Sequence, residues 1–330
     1  MLKYVLLVCL FARIGSKLLL TSNYLMSKMM NIQFSKRLSR TVVYVALALS
    51  ISAPFGAQAQ SLNANEAKTR LNIAGRERML IQRVVKSACF SSLGIERMVY
   101  RSALVASQSL FVGSLNALQN GDSEFGLSKE RSATLLEKLA DISSNWTTLS
   151  TLADRATSPE GISTDTLANL DALGLDLLDD ANSIVQGVSQ IYGEQLDDLP
   201  LIISISIDIA GRQRMLTQKM AKEFCLIDAG VAPFENRSNL TETMDIFNTT
   251  LVGLQNGLPG MVIPAPNYDI RHKLREVASR WVPIEGVLRT VANGGEITDD
   301  DRAAVVNNME AVLKAMNEAV QMYEYINAAP

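Results

Sequence analysis

Ile73-Ala-Gly-Arg-Glu-Arg-Met-Leu-Ile-Gln-Arg-Val-Val-Lys86 and Ile209-Ala-Gly-Arg-Gln-Arg-Met-Leu-Thr-Gln-Lys-Met-Ala-Lys222 are near copies of each other, with Gly75 and Gly211 standing 136 residues apart. The spacing persists downstream, where Phe111, Leu115 and Leu118-Gln-Asn-Gly121 answer to Phe247, Leu251 and Leu254-Gln-Asn-Gly257. One deletion shortens it to 135, so that Lys138-Leu139 with Trp146 meets Lys273-Leu274 with Trp281, and Asn182 with Gln186 meets Asn317 with Gln321. A period this long indicates two duplicated domains rather than a solenoid of short units. The boundary is placed near Asp197-Asp-Leu-Pro200, giving a first domain over residues 60–197 and a second over 198–330.

Each copy reads as helix. Leu170, Leu173, Leu177, Ala181, Ile184, Val188 and Ile191 follow the three-and-four spacing of an amphipathic helix, and Met309, Leu313, Met316, Val320 and Tyr323 repeat that stripe. Punctuation falls at Gly121-Asp, Ser158-Pro-Glu-Gly161, Leu258-Pro-Gly and Asn293-Gly-Gly, and Thr298 with Asp301 reads as an N-terminal cap. Ile203-Ser-Ile-Ser-Ile-Asp-Ile209 alternates as a strand would, but its counterpart Ala67–Ile73 does not, and the repeat favours helix. The expected fold is all-α, two tandem up-down four-helix bundles.

Charge and leader set the compartment. Of the 31 basic residues, seven lie in residues 1–59, which hold no acidic side chain; the other 24 face all 34 acidic residues, a net of −10. So acidic a body is a poor nucleic-acid binder. Lys36, Arg37 and Arg40 precede the apolar run Thr41–Ser52, and Ala57-Gln58-Ala59 fits a small-x-small cleavage site. Residues 1–59 therefore read as a signal peptide, translation starting at Met26, Met29 or Met30, and the expected location is the periplasm. The alternative is an inner-membrane anchor formed by an uncleaved leader.

The twin motif Ala-Gly-Arg-Glu/Gln-Arg-Met-Leu resembles the opening helix of the PilJ/NarX-type sensor domains, and most of all the PilJ-type domain named for a type IV pili chemotaxis transducer. That resemblance implies a periplasmic ligand-sensing helical bundle, with small oxyanions such as nitrate and nitrite recognised in the sensor-kinase branch. There the anion-contacting arginine aligns with Arg78 and Arg214, and two such helices meet across a dimer interface. Here both copies share one chain, so the tandem is expected to pack as a covalent pseudodimer with Arg78 and Arg214 clamping an anion between them.

The residues point the same way on their own. On a helical wheel Arg78 shares its stripe with Leu71, Ala74, Val85 and Cys89, and Arg214 with Ile207, Ala210, Ala221 and Cys225. Arg76 and Arg83 point roughly the other way, toward solvent. Neither Arg78 nor Arg214 has an acidic residue three or four positions away on its own helix, whereas Arg212 has Asp208. A guanidinium on a packing face requires a counter-charge, and its planar fork suits a flat oxyanion. The competing reading makes Gly75 and Gly211 close-packing positions and pairs the arginines with carboxylates from other helices. A sensor needs the arginines unpaired and facing a cavity; a ligand-free interaction scaffold, such as an accessory to a surface appendage, pairs them.

Cys89 and Cys225 are equivalent under the repeat, each eleven residues after its arginine. If the opening helices lie side by side, a disulfide would lock them; otherwise two free thiols are buried in separate bundles. Enzymatic chemistry has little to work with: His272 is the single histidine, and no Gly-rich phosphate loop or Cys-x-x-Cys occurs. No metal or cofactor is expected. Trp146 and Trp281 read as core. With no kinase or methyl-accepting output segment in the sequence, a signal would leave through a membrane sensor or another protein partner.

Overall fold

The computed structural model describes residues 64–193, 201–259, 262 and 264–326; the leader expected over 1–59 and the boundary expected near Asp197 lie outside them. Eight α-helices occur among the described residues: α1 Ala64–Ser92, α2 Arg97–Asn120, α3 Ala133–Asp154, α4 Thr164–Gly193, α5 Leu201–Asp228, α6 Pro233–Asn256, α7 Tyr268–Ala292 and α8 Asp299–Glu324. No strand is present among them, and the alternating stretch around Ile203–Ile209 is helical, as the repeat required. Helix propensity is a weak prior there; the apolar faces of a packed bundle decide.

Local chemistry explains the ends. Ser132 accepts from the Leu135 N–H and opens α3, Asn267 does the same for Ile270 in α7, and Thr298 forms a reciprocal capping box with Asp301. Gly121 closes α2 at φ +81°, and a Cβ there would stand 2.7 Å from the Leu127 carbonyl oxygen, so only glycine fits the turn. Gly257 repeats that turn after α6, at φ +87°.

Within the first four helices α1 packs on α2 and α4, and α3 on α4; the last four repeat the pattern, α5 on α6 and α8, and α7 on α8. Each bundle is centred on an aromatic pair, Phe111 stacked on Trp146 at 3.7 Å between ring centroids and Phe247 tilted against Trp281 at 4.9 Å. Trp281 also donates from Nε1 to Asn248 Oδ1 at 2.8 Å.

The most extensive contact in the molecule is between α1 and α5. Equivalent positions meet at two levels of the shared face: Gly75 and Gly211 stand close together near its middle, and Cys89 and Cys225 are joined nearer one end, with 6.2 Å between their Cα atoms. Matching positions about 21 Å apart along each helix require the two to run parallel and in register. Ion pairs tie the halves further, Lys86 of α1 with Glu310 of α8 and Lys222 of α5 with Asp171 of α4. The buried apolar residues of all eight helices form one continuous core.

Candidate functional site

Arg78 and Arg214 lie in the middle of this α1–α5 seam, each 1% exposed. The glycine one turn earlier on each helix leaves the space they fill. A Cβ at Gly75 would stand 3.3 Å from Arg78 Nη2 and 3.7 Å from Arg214 Nη2; at Gly211 it would meet Arg214 Nη2 at 3.5 Å and Arg78 Nη2 at 3.7 Å. The two glycines and two guanidinium groups therefore form one cluster arranged about a pseudo-twofold axis.

The supports follow the same symmetry until one position breaks it. Arg78 Nη1 donates to Asn182 Oδ1 at 3.5 Å and Arg214 Nη1 to Asn317 Oδ1 at 3.0 Å, each asparagine coming from the fourth helix of the arginine's own half. Each Nη2 then reaches across to the other half. Arg78 Nη2 meets the Asp208 carboxylate at 2.7 Å. Arg214 Nη2 finds Asn72, the counterpart of Asp208, and takes its backbone oxygen at 3.2 Å. Among the described residues Arg214 forms no salt bridge, and the Nε of both arginines lacks a hydrogen-bond partner. Burial, then repulsion from Arg76 and Arg78, pushes the Arg214 guanidinium down to about 9, with Glu324 opposing. It remains a cation at neutral pH. Burial also lowers Arg78, but Asp208 counteracts it.

Each arginine opens onto its own cleft rather than onto a shared one. The Arg78 cleft, about 550 Å³, lies between α4, α5 and α6, and in it three cations (Arg78, Arg212, Lys219) face three carboxylates (Asp179, Asp208, Glu242). The Arg214 cleft, about 340 Å³, lies between α1, α2 and α8. Its lining repeats the first position by position: Asn72 for Asp208, Arg76 for Arg212, Arg83 for Lys219, Lys314 for Asp179, Asn317 for Asn182 and Gln321 for Gln186. Four cations (Arg76, Arg83, Arg214, Lys314) now face a single carboxylate, Glu310, already engaged by Arg83 and Lys86.

Several of these residues escaped the sequence reading. Arg76 was expected in solvent; instead it is partly buried, donating to Ser114 Oγ at 2.7 Å and lying over the Phe125 ring. The wheel misplaced it because α1 is central, covered by α2, α4 and α5, and has almost no free face. Asp208 does pair with Arg212 as expected, at 3.3 Å, but its shorter contact is to Arg78. The available signal was the pair of mismatches Asn72 for Asp208 and Lys314 for Asp179 within the repeat.

The parallel pairing of two opening helices, each carrying a buried arginine at a seam, defines a helical double bundle whose two like halves are fused. The sequence comparison agrees: a profile described as "Type IV pili methyl-accepting chemotaxis transducer N-term" matches residues 59–172 and again 204–321. The chain belongs to the PilJ family, in two tandem copies. It is thereby related to chemotaxis-transducer sensory domains, a non-enzymatic family. No curated protein matches the chain. Among the described residues no helix is long and apolar enough to cross a membrane.

Proposed function

We propose that this protein is a periplasmic sensor, divided into domains at 60–197 and 198–330, that takes up a small anion beside Arg78 and Arg214 and relays the change to a membrane-bound transducer or another protein partner. The observation that carries this reading is Arg214: a wholly buried guanidinium with a neutral set of acceptors, its Nε unsatisfied, lining an open cleft. A buried cation without a counter-charge is costly, and an anion in the cleft relieves that cost. Gly75 and Gly211 supply the room for the two guanidinium groups. The helices bearing them also carry the contact between halves, so a change in their spacing alters the whole α1–α5 seam. Nitrate and nitrite are the first ligands to try, on the family resemblance.

The Arg78–Asp208 bridge is what a ligand-free scaffold would show, and it makes an interaction scaffold the second reading. Thermal unfolding with and without millimolar nitrate, nitrite, sulfate and small carboxylates separates the two. A midpoint raised by an anion in the parent protein and not in Arg214→Gln supports the sensor, since a ligand bound only to the native state stabilises it. No shift with any anion, in either protein, leaves the scaffold.

A further inference from the structure

The two clefts are built on the same plan, yet their charges differ, and the difference selects both the side and the ligand. Resting on the sensor reading above, we infer that only the Arg214 cleft receives ligand, that its ligand is an organic anion carrying two or more negative charges, and that Asp208 fills the equivalent place in the other cleft.

At Arg78 the recognition problem is already answered from within the chain. The Asp208 carboxylate sits 2.7 Å from Nη2, the position an anion's oxygen would take, and the cleft as a whole carries no excess charge. At Arg214 the same position is held by Asn72, which offers a backbone carbonyl and no charge. Nearby Arg76 and the exposed Lys314 add cations that form no salt bridge among the described residues, while Glu310 is shared between Arg83 and Lys86. Two further carboxylates act on Arg76 without lining the cleft: Glu77 is wholly buried, which holds its carboxyl toward the protonated form, and Glu324 accepts from Asn72 Nδ2 at 2.5 Å. Several cations spaced around a cleft of about 340 Å³ suit a molecule of metabolite size with separated charges, a di- or tricarboxylate or a phosphate ester. A single nitrate-sized ion would leave most of those cations, and most of the space, unused.

Isothermal titration of the intact protein with succinate, citrate and glycerol 3-phosphate, with nitrate as the monoanion, tests this directly. Expected is one site per chain for at least one polyanion, bound more tightly than nitrate. Binding is lost in Arg214→Gln and weakened about tenfold or more in Arg76→Gln and in the exposed Lys314→Glu, which reverses charge at the rim without disturbing the core. Arg212→Gln, the mirror of Arg76→Gln in the other cleft, changes affinity less than about twofold. Equal losses from Arg76→Gln and Arg212→Gln, or nitrate binding as tightly as the polyanions, would overturn the inference while leaving an anion sensor standing. Failure of every anion to bind would overturn both.

Discussion

Replacing Asp208 with asparagine makes the Arg78 cleft resemble its partner, and the consequence for stability follows from the geometry. Arg78 is 1% exposed and Asp208 24% exposed, so the pair is largely removed from water, and its Nη2–Oδ1 distance of 2.7 Å is that of a charge-assisted hydrogen bond. Taking one partner from a buried ion pair costs about 3–5 kcal/mol because the remaining charge is stranded. The new carboxamide oxygen still accepts a hydrogen bond, which recovers about 1 kcal/mol. Asn182, a neutral acceptor at 3.5 Å, cannot replace the lost charge. A loss of about 2–4 kcal/mol is therefore expected in Asp208→Asn, a fall in midpoint of roughly 4–8 °C for a chain of this size. Urea denaturation at pH 7 with the disulfide intact measures it, and the double variant with Arg78→Gln should regain most of the loss, giving a coupling of about 2 kcal/mol. A change below about 0.5 kcal/mol, or purely additive single effects, would show that water reaches the pair and that Arg78 needs no counter-charge. The reasoning about Arg214 would then fail with it.

Two further outcomes are expected. The Cys89–Cys225 bridge closes a loop of 136 residues, for which the chain-entropy relation gives about 5 kcal/mol and measured bridges more often about 2–4 kcal/mol; reductant, or Cys225→Ser, should lower the unfolding midpoint accordingly, and an unchanged midpoint would argue against the cross-link. Burial holds the Glu77 carboxyl well above the usual carboxylate range, against opposing contributions from Arg76 and Ser114, so the folded state keeps a proton that the unfolded chain releases. Its contribution is fully present below the ordinary glutamate value near 4.5 and is lost as pH rises through the raised value. Gln213 stands at the equivalent position and donates to the Phe247 carbonyl at 3.3 Å, so Glu77→Gln should flatten the decline of stability as pH rises above 4.5; parallel pH profiles for the two proteins would refute the assignment.

The repeat, the helices and the family were legible because they rest on local, periodic information. Apolar residues at three-and-four spacing, the Thr298–Asp301 cap and the glycines at 121 and 257 act within a turn or two of themselves, and duplication states each of them twice. The wheel also put Arg78 and Arg214 on a packing face, because azimuth along one helix is a local property. What stands opposite an azimuth is not. The choice between an arginine paired with a carboxylate and one left open depended on α1 and α5 lying parallel and in register, which brought Asp208 to Arg78 but only Asn72 to Arg214. The charge of the two clefts likewise arose from side chains more than two hundred positions apart, such as Arg83 and Lys86 against Glu310. The amino-acid order alone established that two similar halves exist, each with a buried arginine. Only tertiary packing, through contacts that cross from one half to the other, made those halves electrostatically unequal.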